Sequence, residues 1–139
     1  MLDLLKILSI VVAVIIIWEF LKNLKKPKPK FVVERIEYRE NENRIKILMK
    51  NIGRAKAEDV YFRAITENRI FRVTSTAPYN IKEGKKTTII KLINPVPWPP
   101  DEQWIHHINA EKRTSGNTKV KIIIDHSTGS YTKVCQLEV

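Results

Sequence analysis

Apolar positions follow two different rules along this chain. From Ile7 to Trp18 they are continuous, Ile-Leu-Ser-Ile-Val-Val-Ala-Val-Ile-Ile-Ile-Trp, with no charge and a single hydroxyl. From Phe31 onward they are interleaved with polar residues, often at a period of two, as in Ile45-x-Ile47-x-Met49. A continuous run suits a helix surrounded by lipid, and alternation suits strands with one buried face.

With tolerable flanks the run covers Leu4 to Leu21, interrupted by Lys6 and Glu19. A helix of that length is about 27 Å long, just under the roughly 30 Å of a hydrocarbon core. Lys6 can extend its ammonium to the headgroups, and Trp18 suits an interface. The start, Met-Leu-Asp-Leu-Leu-Lys, lacks the positive n-region of a signal peptide, and no Ala-x-Ala pattern follows. The run is apolar on every side, which argues against a core helix with one buried stripe. The reading is a transmembrane helix over residues 1–24, core 4–21, anchored by Ile7, Ile10, Val11, Val12, Val14, Ile15, Ile16, Ile17 and Trp18.

A basic Lys/Pro linker, residues 25–30, follows. Pro27 and Pro29 stop the helix and favour extended backbone, so the tether is short. Lys22, Lys25, Lys26, Lys28 and Lys30 lie at the membrane surface in this reading. Positive charge beside a span prefers the cytoplasmic side. The expected orientation is N-terminus outside and domain inside, an outward domain being the alternative.

The remainder, 31–139, reads as strands. Phe31–Arg39 and Arg44–Ile52 form a hairpin around the polar Glu40–Asn43 turn. Val60–Thr66, Ile70–Val73, Thr87–Ile93, Lys119–His126 and Tyr131–Val139 follow. Asn51–Asp59 is a loop with a close approach at Ala57. Thr74–Lys86 reads as irregular, and the prolines of Asn94–Pro100 exclude regular structure there. Asp101–Arg113 fits two patterns. Asp101 can cap a short helix with Trp104 and Ile108 one turn apart, or a strand can turn Trp104, His106 and Ile108 to one side; the helical start is preferred. About seven short strands with frequent turns predict an antiparallel β-sandwich.

Composition adds charge and removes chemistry. The 139 residues carry 25 basic and 15 acidic side chains, net +10, spread along the chain rather than clustered. That favours anionic surfaces in general and gives no nucleic-acid site. The single cysteine, Cys135, forms no intramolecular disulfide and reads as a buried thiol. His106, His107 and His126 do not form a metal set by spacing. No catalytic, cofactor-binding or metal-ligating residue is assigned, and an enzyme is not expected. Trp98 and Trp104, beside the stiff Pro99-Pro100, are candidate partner-binding residues, with a role as core plugs equally open.

Three short motifs carry a resemblance. Asn51-x-Gly53-x-x-x-Ala57-x-x-Val60, after the Ile45–Met49 alternation, resembles the second-to-third-strand region of prokaryotic immunoglobulin-like domains related to the cell-adhesion-related bacterial domains. Ile81-x-x-Gly84-x-x-Thr87 resembles their central turn, and Asp125-x-x-x-Gly129-x-Tyr131 the last hairpin of single-pass bacterial and archaeal proteins of similar layout. The resemblance implies an immunoglobulin-like sandwich and no catalytic residues. Lys-, Glu- and Ile-rich usage also suits a thermophile, and an archaeal source is the guess.

The expected function is a membrane-anchored, non-enzymatic protein-interaction or scaffold module with lipid and a protein as partners. Homo-oligomerisation is left open. The alternatives are a structural subunit of an envelope, virion or surface filament, and binding of anionic lipid or nucleic acid through the basic surface.

Overall fold

The computed structural model describes residues 2–24 and 27–139. It consists of one helix, α1 (Leu2–Leu24), followed by ten strands among the described residues: β1 (Phe31–Arg39), β2 (Arg44–Asn51), β3 (Ala57–Glu67), β4 (Phe71–Val73), β5 (Tyr79–Glu83), β6 (Thr87–Leu92), β7 (Val96–Trp98), β8 (Gln103–Lys112), β9 (Asn117–His126) and β10 (Gly129–Glu138). Lys25 and Lys26, two of the five lysines assigned to the membrane surface, lie outside the described residues.

In α1 the segment Asp3–Lys22 is long and apolar enough to cross a membrane, and none of it is buried against the sandwich. The one hydroxyl of the run bonds within the helix, Ser9 Oγ donating to the Leu5 carbonyl at 3.0 Å. That hydroxyl is therefore satisfied within the helix and does not interrupt its apolar surface with a free donor.

The strands form two antiparallel sheets, ordered β1-β2-β8-β4 and β10-β9-β3-β6-β5, with β7 also paired to β3. An immunoglobulin sandwich orders its sheets A-B-E-D and G-F-C, with C′ and C″ added in variable-type domains. β1, β2, β3, β8, β9 and β10 occupy the A, B, C, E, F and G positions. The departure is in chain order, since β4 precedes β5 and β6 here. The core lies between the sheets, where Ile45, Ile47 and Met49 of β2 face Phe62 and Ala64 of β3 and Val120, Ile122 and Ile124 of β9, all fully buried.

Three expected irregular or helical segments are strands. Asp101–Arg113 holds β8, Gln103–Lys112, and no helix. Asp101 sits at φ 61°, a left-handed conformation, whereas a helix N-cap is extended. Alternation then carries Trp104, His106, Ile108 and Ala110 inward, and β8 pairs with β2 from Gln103 to Asn109. The Thr74–Lys86 segment holds β5, antiparallel to β6. The proline run holds the short β7, which meets β3 only through Val96 and Trp98. Pro97 lies between those contacts with its missing N–H turned away from β3, where no donor is needed.

The end of the sandwich nearest α1 is fastened by one side chain. Asn51 is fully buried and makes four hydrogen bonds. Its Oδ1 accepts from the backbone N–H of Lys30 at 3.1 Å and of Gly53 at 3.0 Å. Its Nδ2 donates to the carbonyls of Ala55 and Trp98, both at 3.0 Å. The linker is thus held on the domain, with Ile52 N donating to Lys30 O at 2.7 Å. Pro29 and its neighbours run so close over Gly53 that an added Cβ would lie 2.8 Å from the Pro29 carbonyl carbon.

Asn51→Ala leaves two donors and two acceptors without their partner and is expected to cost roughly 3 kcal/mol. Gly53→Ala is expected to cost about 2 kcal/mol by overpacking and to displace the linker. Urea unfolding followed by tryptophan fluorescence measures both; unchanged midpoints would refute the clamp.

Candidate functional site

Phe31, Phe62, Tyr79, Trp98 and Trp104 gather in the linker-proximal half of the sandwich, where β7, β8, β3 and β5 converge. Trp98 is fully buried, and its ring stacks on Trp104 with centroids 4.0 Å apart. Phe31 packs on the Trp98 ring at 4.8 Å, and the indole N–H donates to the Glu102 carbonyl at 2.8 Å. Trp98 is therefore core, the second of its two expected roles, and offers no free face to a partner. Trp104 is half-buried and lines a groove of ≈300 Å³ on the flank of the sandwich, with Tyr79, Leu92, Val96, Gln103, Ile105 and His106.

His106 lies beneath that groove, 5% exposed. Its imidazole stacks on Phe62 at 3.8 Å, nearly parallel. Nδ1 lies 2.8 Å from the Tyr79 hydroxyl, while Nε2 is buried without a hydrogen-bond partner among the described residues. Removal from water pushes the imidazole down to about 4, with a smaller contribution in the same direction from His107. Burial likewise pushes the Tyr79 hydroxyl up to about 12. At neutral pH both groups are uncharged, and Tyr79 can donate to Nδ1.

The other candidates are dispersed. His107 is exposed, on the opposite face of β8 from His106. His126 lies at the β9–β10 turn, with its ring 5.3 Å from Phe31. Burial raises the Cys135 thiol, partly offset by Lys133, so little thiolate forms at neutral pH. Among the described residues no three His, Cys, Asp or Glu side chains come together as a metal would require. Sequence reasoning missed Tyr79 and Phe62, because their place beside His106 depends on which strands of the two sheets face one another.

The basic residues acquire an arrangement that chain order hides. On the outer face of the β1-β2-β8 sheet, Arg35, Arg39, Arg44, Lys46 and Lys50 surround one acid in their midst, Glu37. Glu37 bonds to Arg35 at 3.0 Å and Arg39 at 2.9 Å, and the Arg39 hydrogen bond is the main reason its carboxyl is lowered. Lys121, Arg63, Lys91 and Lys82 lie across the outer face of the other sheet.

No family model matches the chain, and no curated protein matches it. Several solved structures do. The ligand binding region of serine-glutamate repeat protein A (SgrA) of Enterococcus faecium is 18% identical, over 77% of this chain and 89% of that one, with a TM-score of 0.42. AvmM, which catalyses macrocyclization in alchivemycin A biosynthesis, is 12% identical over 81% of this chain and 89% of its own, at 0.40. A GH20 exo-β-N-acetylglucosaminidase from Vibrio harveyi is 8% identical over 83% of this chain and 18% of its own, at 0.39. At these identities and scores the likenesses assign no residue and no activity here.

Trp98→Ala is expected to lose about 3–5 kcal/mol of stability by opening a cavity. A thermal midpoint within a few degrees of the parent would return Trp98 to the surface. His106 gives an acid limb. Its folded-state proton affinity lies below the ordinary value of 6.5, so the unfolded chain takes up the proton first. The contribution is whole above pH 6.5 and is lost as pH falls toward about 4, on the order of 3 kcal/mol. Denaturant unfolding at a series of pH values should show this loss in the parent and not in His106→Phe; equal losses in the two proteins would exclude His106.

Proposed function

We propose that this chain is a membrane-tethered, non-enzymatic binding module. In this reading α1 crosses the bilayer once, the Lys/Pro linker holds the sandwich beside the lipid, and the sandwich meets a protein partner. The observation that carries the reading is the wholly unburied apolar segment Asp3–Lys22, leading into a linker fastened to the domain by Asn51. An apolar helix with no protein against it finds its lowest free energy in hydrocarbon.

The lysines flanking the C-terminal end of α1, with the near-neutral Asp3 and Lys6 at the other, favour a cytoplasmic domain. The non-enzymatic part is supported by the state of the buried groups. His106 and Tyr79 are held uncharged, and the Cys135 thiol is held in its weakly nucleophilic form.

The full chain expressed with a C-terminal tag should remain in the membrane pellet after alkaline carbonate extraction, at full length. The domain should resist protease in intact spheroplasts and be digested once they are lysed. Release by carbonate, or a shortened N-terminus, would overturn the anchor; digestion in intact spheroplasts would reverse the orientation.

A further inference from the structure

The two flanks of the sandwich differ. One is closed where β1 meets β10, with Phe31 against Tyr131 at 6.2 Å. The other is open, because β4 is only three residues long and pairs with β8 only at Ala110–Lys112. Ser75 extends this cover by one position. The N–H groups of Thr74 and Ser75 donate to the Asn109 carbonyl at 2.8 and 3.1 Å, and Asn109 N donates to Ser75 Oγ at 2.6 Å. At the opposite end Glu102 O is taken by Asn51 N and the Trp98 indole.

Gln103 to His107 remains between these two points. In an antiparallel ladder, alternate residues bond to alternate sides. Ala110 N bonds to Asn43 O and Glu102 O accepts from Asn51 N, so the even-numbered residues of β8 serve β2. The N–H and C=O groups of Gln103, Ile105 and His107 therefore point outward along an unpaired edge about 17 Å long, at roughly 3.4 Å per residue. The aromatic groove lined by Trp104, Tyr79 and Leu92 lies beneath it, with the unpartnered His106 Nε2 buried alongside.

Other edges in the molecule are defended against strand pairing. β1 carries a bulge at Glu34, β10 turns Lys133 toward the inner face opposite Ile122, β5 ends in Lys82-Glu83, and β4 and β7 are three residues long. The free part of β8 shows none of these devices. Gln103 and Ile105 are uncharged. His107 is also neutral at pH 7, because partial burial and the neighbouring Arg44 and Lys46 lower its proton affinity.

We infer that this edge is a docking site for an extended peptide segment of a partner protein, added to β8 as a further antiparallel strand. This rests on the binding-module reading and gives it an address. Charge and shape fix the chemistry of the segment. A residue bonded to Ile105 carries its side chain on the outer face, toward Lys46 and Lys50 one strand beyond, and acidic side chains suit that face. The alternate residues point over the groove and are apolar. The recognised pattern is thus acidic and apolar in alternation across five or six residues.

The probe is a capped heptapeptide alternating glutamate with valine, added to the full chain in nanodiscs. Residues paired in register share a face, so the glutamate N–H groups point at β8 and the valine N–H groups point away. N-methylation of the glutamates should weaken binding by more than about tenfold, since at least two bonds are lost, whereas N-methylation of the valines should change it little. Hydrogen exchange at the amides of Ile105 and His107 should slow on binding. Ile105→Glu, at a side chain 47% exposed, should abolish binding without moving the thermal midpoint, and Val134→Glu on the other sheet should not. Equal effects of the two methylations, no slowed exchange at Ile105 and His107, or indifference to Ile105→Glu would overturn the edge. A partner cross-linked in native membranes from a photoreactive group at Val134 and not at Gln103 would overturn it too, yet leave the module reading standing. Absence of peptide binding and of cross-links from both faces would remove both.

Discussion

The carboxamide of Asn51 joins the linker, the loop after β2 and the β7 backbone at a single buried point. A buried amide is stable only when its oxygen and both its hydrogens are occupied, and here two backbone donors and two carbonyls occupy them. Through the oxygen it grips the last residue of the linker and turns the chain at Gly53. Through the nitrogen it closes the loop at Ala55 and fixes the Trp98 backbone. Trp98 then supports Trp104, and the groove over His106 inherits its floor. The linker's course onto the sandwich and the shape of the open flank thus meet at one side chain. Asp would supply the acceptor but set a carboxylate against two carbonyls; Leu would supply neither half.

That geometry also explains the motif Asn51-x-Gly53-x-x-x-Ala57-x-x-Val60. Asn51 is the clamp, and Gly53 leaves the space through which the linker runs. Ala57 and Val60 are buried where β3 meets β7, Ala57 opposite Trp98. A close approach was expected at Ala57, which is buried opposite Trp98; the close backbone-on-backbone contact is at Gly53. Each residue of the motif has a packing or hydrogen-bonding reason for its identity, and none is left over for chemistry.

The strands that were legible beforehand are those whose burial alternates along one short stretch. β2 reads directly because Ile45, Ile47 and Met49 all face a single core. β8 did not, because Trp104 and Ile108 satisfy a helical spacing as well as a strand spacing. Pairing with β2, more than fifty residues away, decides it, and local propensity holds no record of that. β5 and β7 were hidden by Pro78, Gly84 and Pro97, residues that break central strands yet are harmless at an edge. The candidate site was half legible for the same reason. Its tryptophans stand out in any reading, whereas Tyr79, Phe62 and the burial of His106 follow from how the two sheets face one another.

A strand edge of five residues is a weak binding surface on its own. Added main-chain hydrogen bonds contribute only about 1 kcal/mol each after water is displaced, and an extended peptide loses conformational entropy when it docks. Tethering changes that balance. A module held beside the bilayer by a short linker meets a partner in the same membrane at an effective concentration that can reach the millimolar range. Weak recognition then suffices for lasting association, and release stays fast. If α1 is the proposed tether and the β8 edge the proposed docking site, each supplies what the other lacks: the helix a high local concentration, the edge a preferred face.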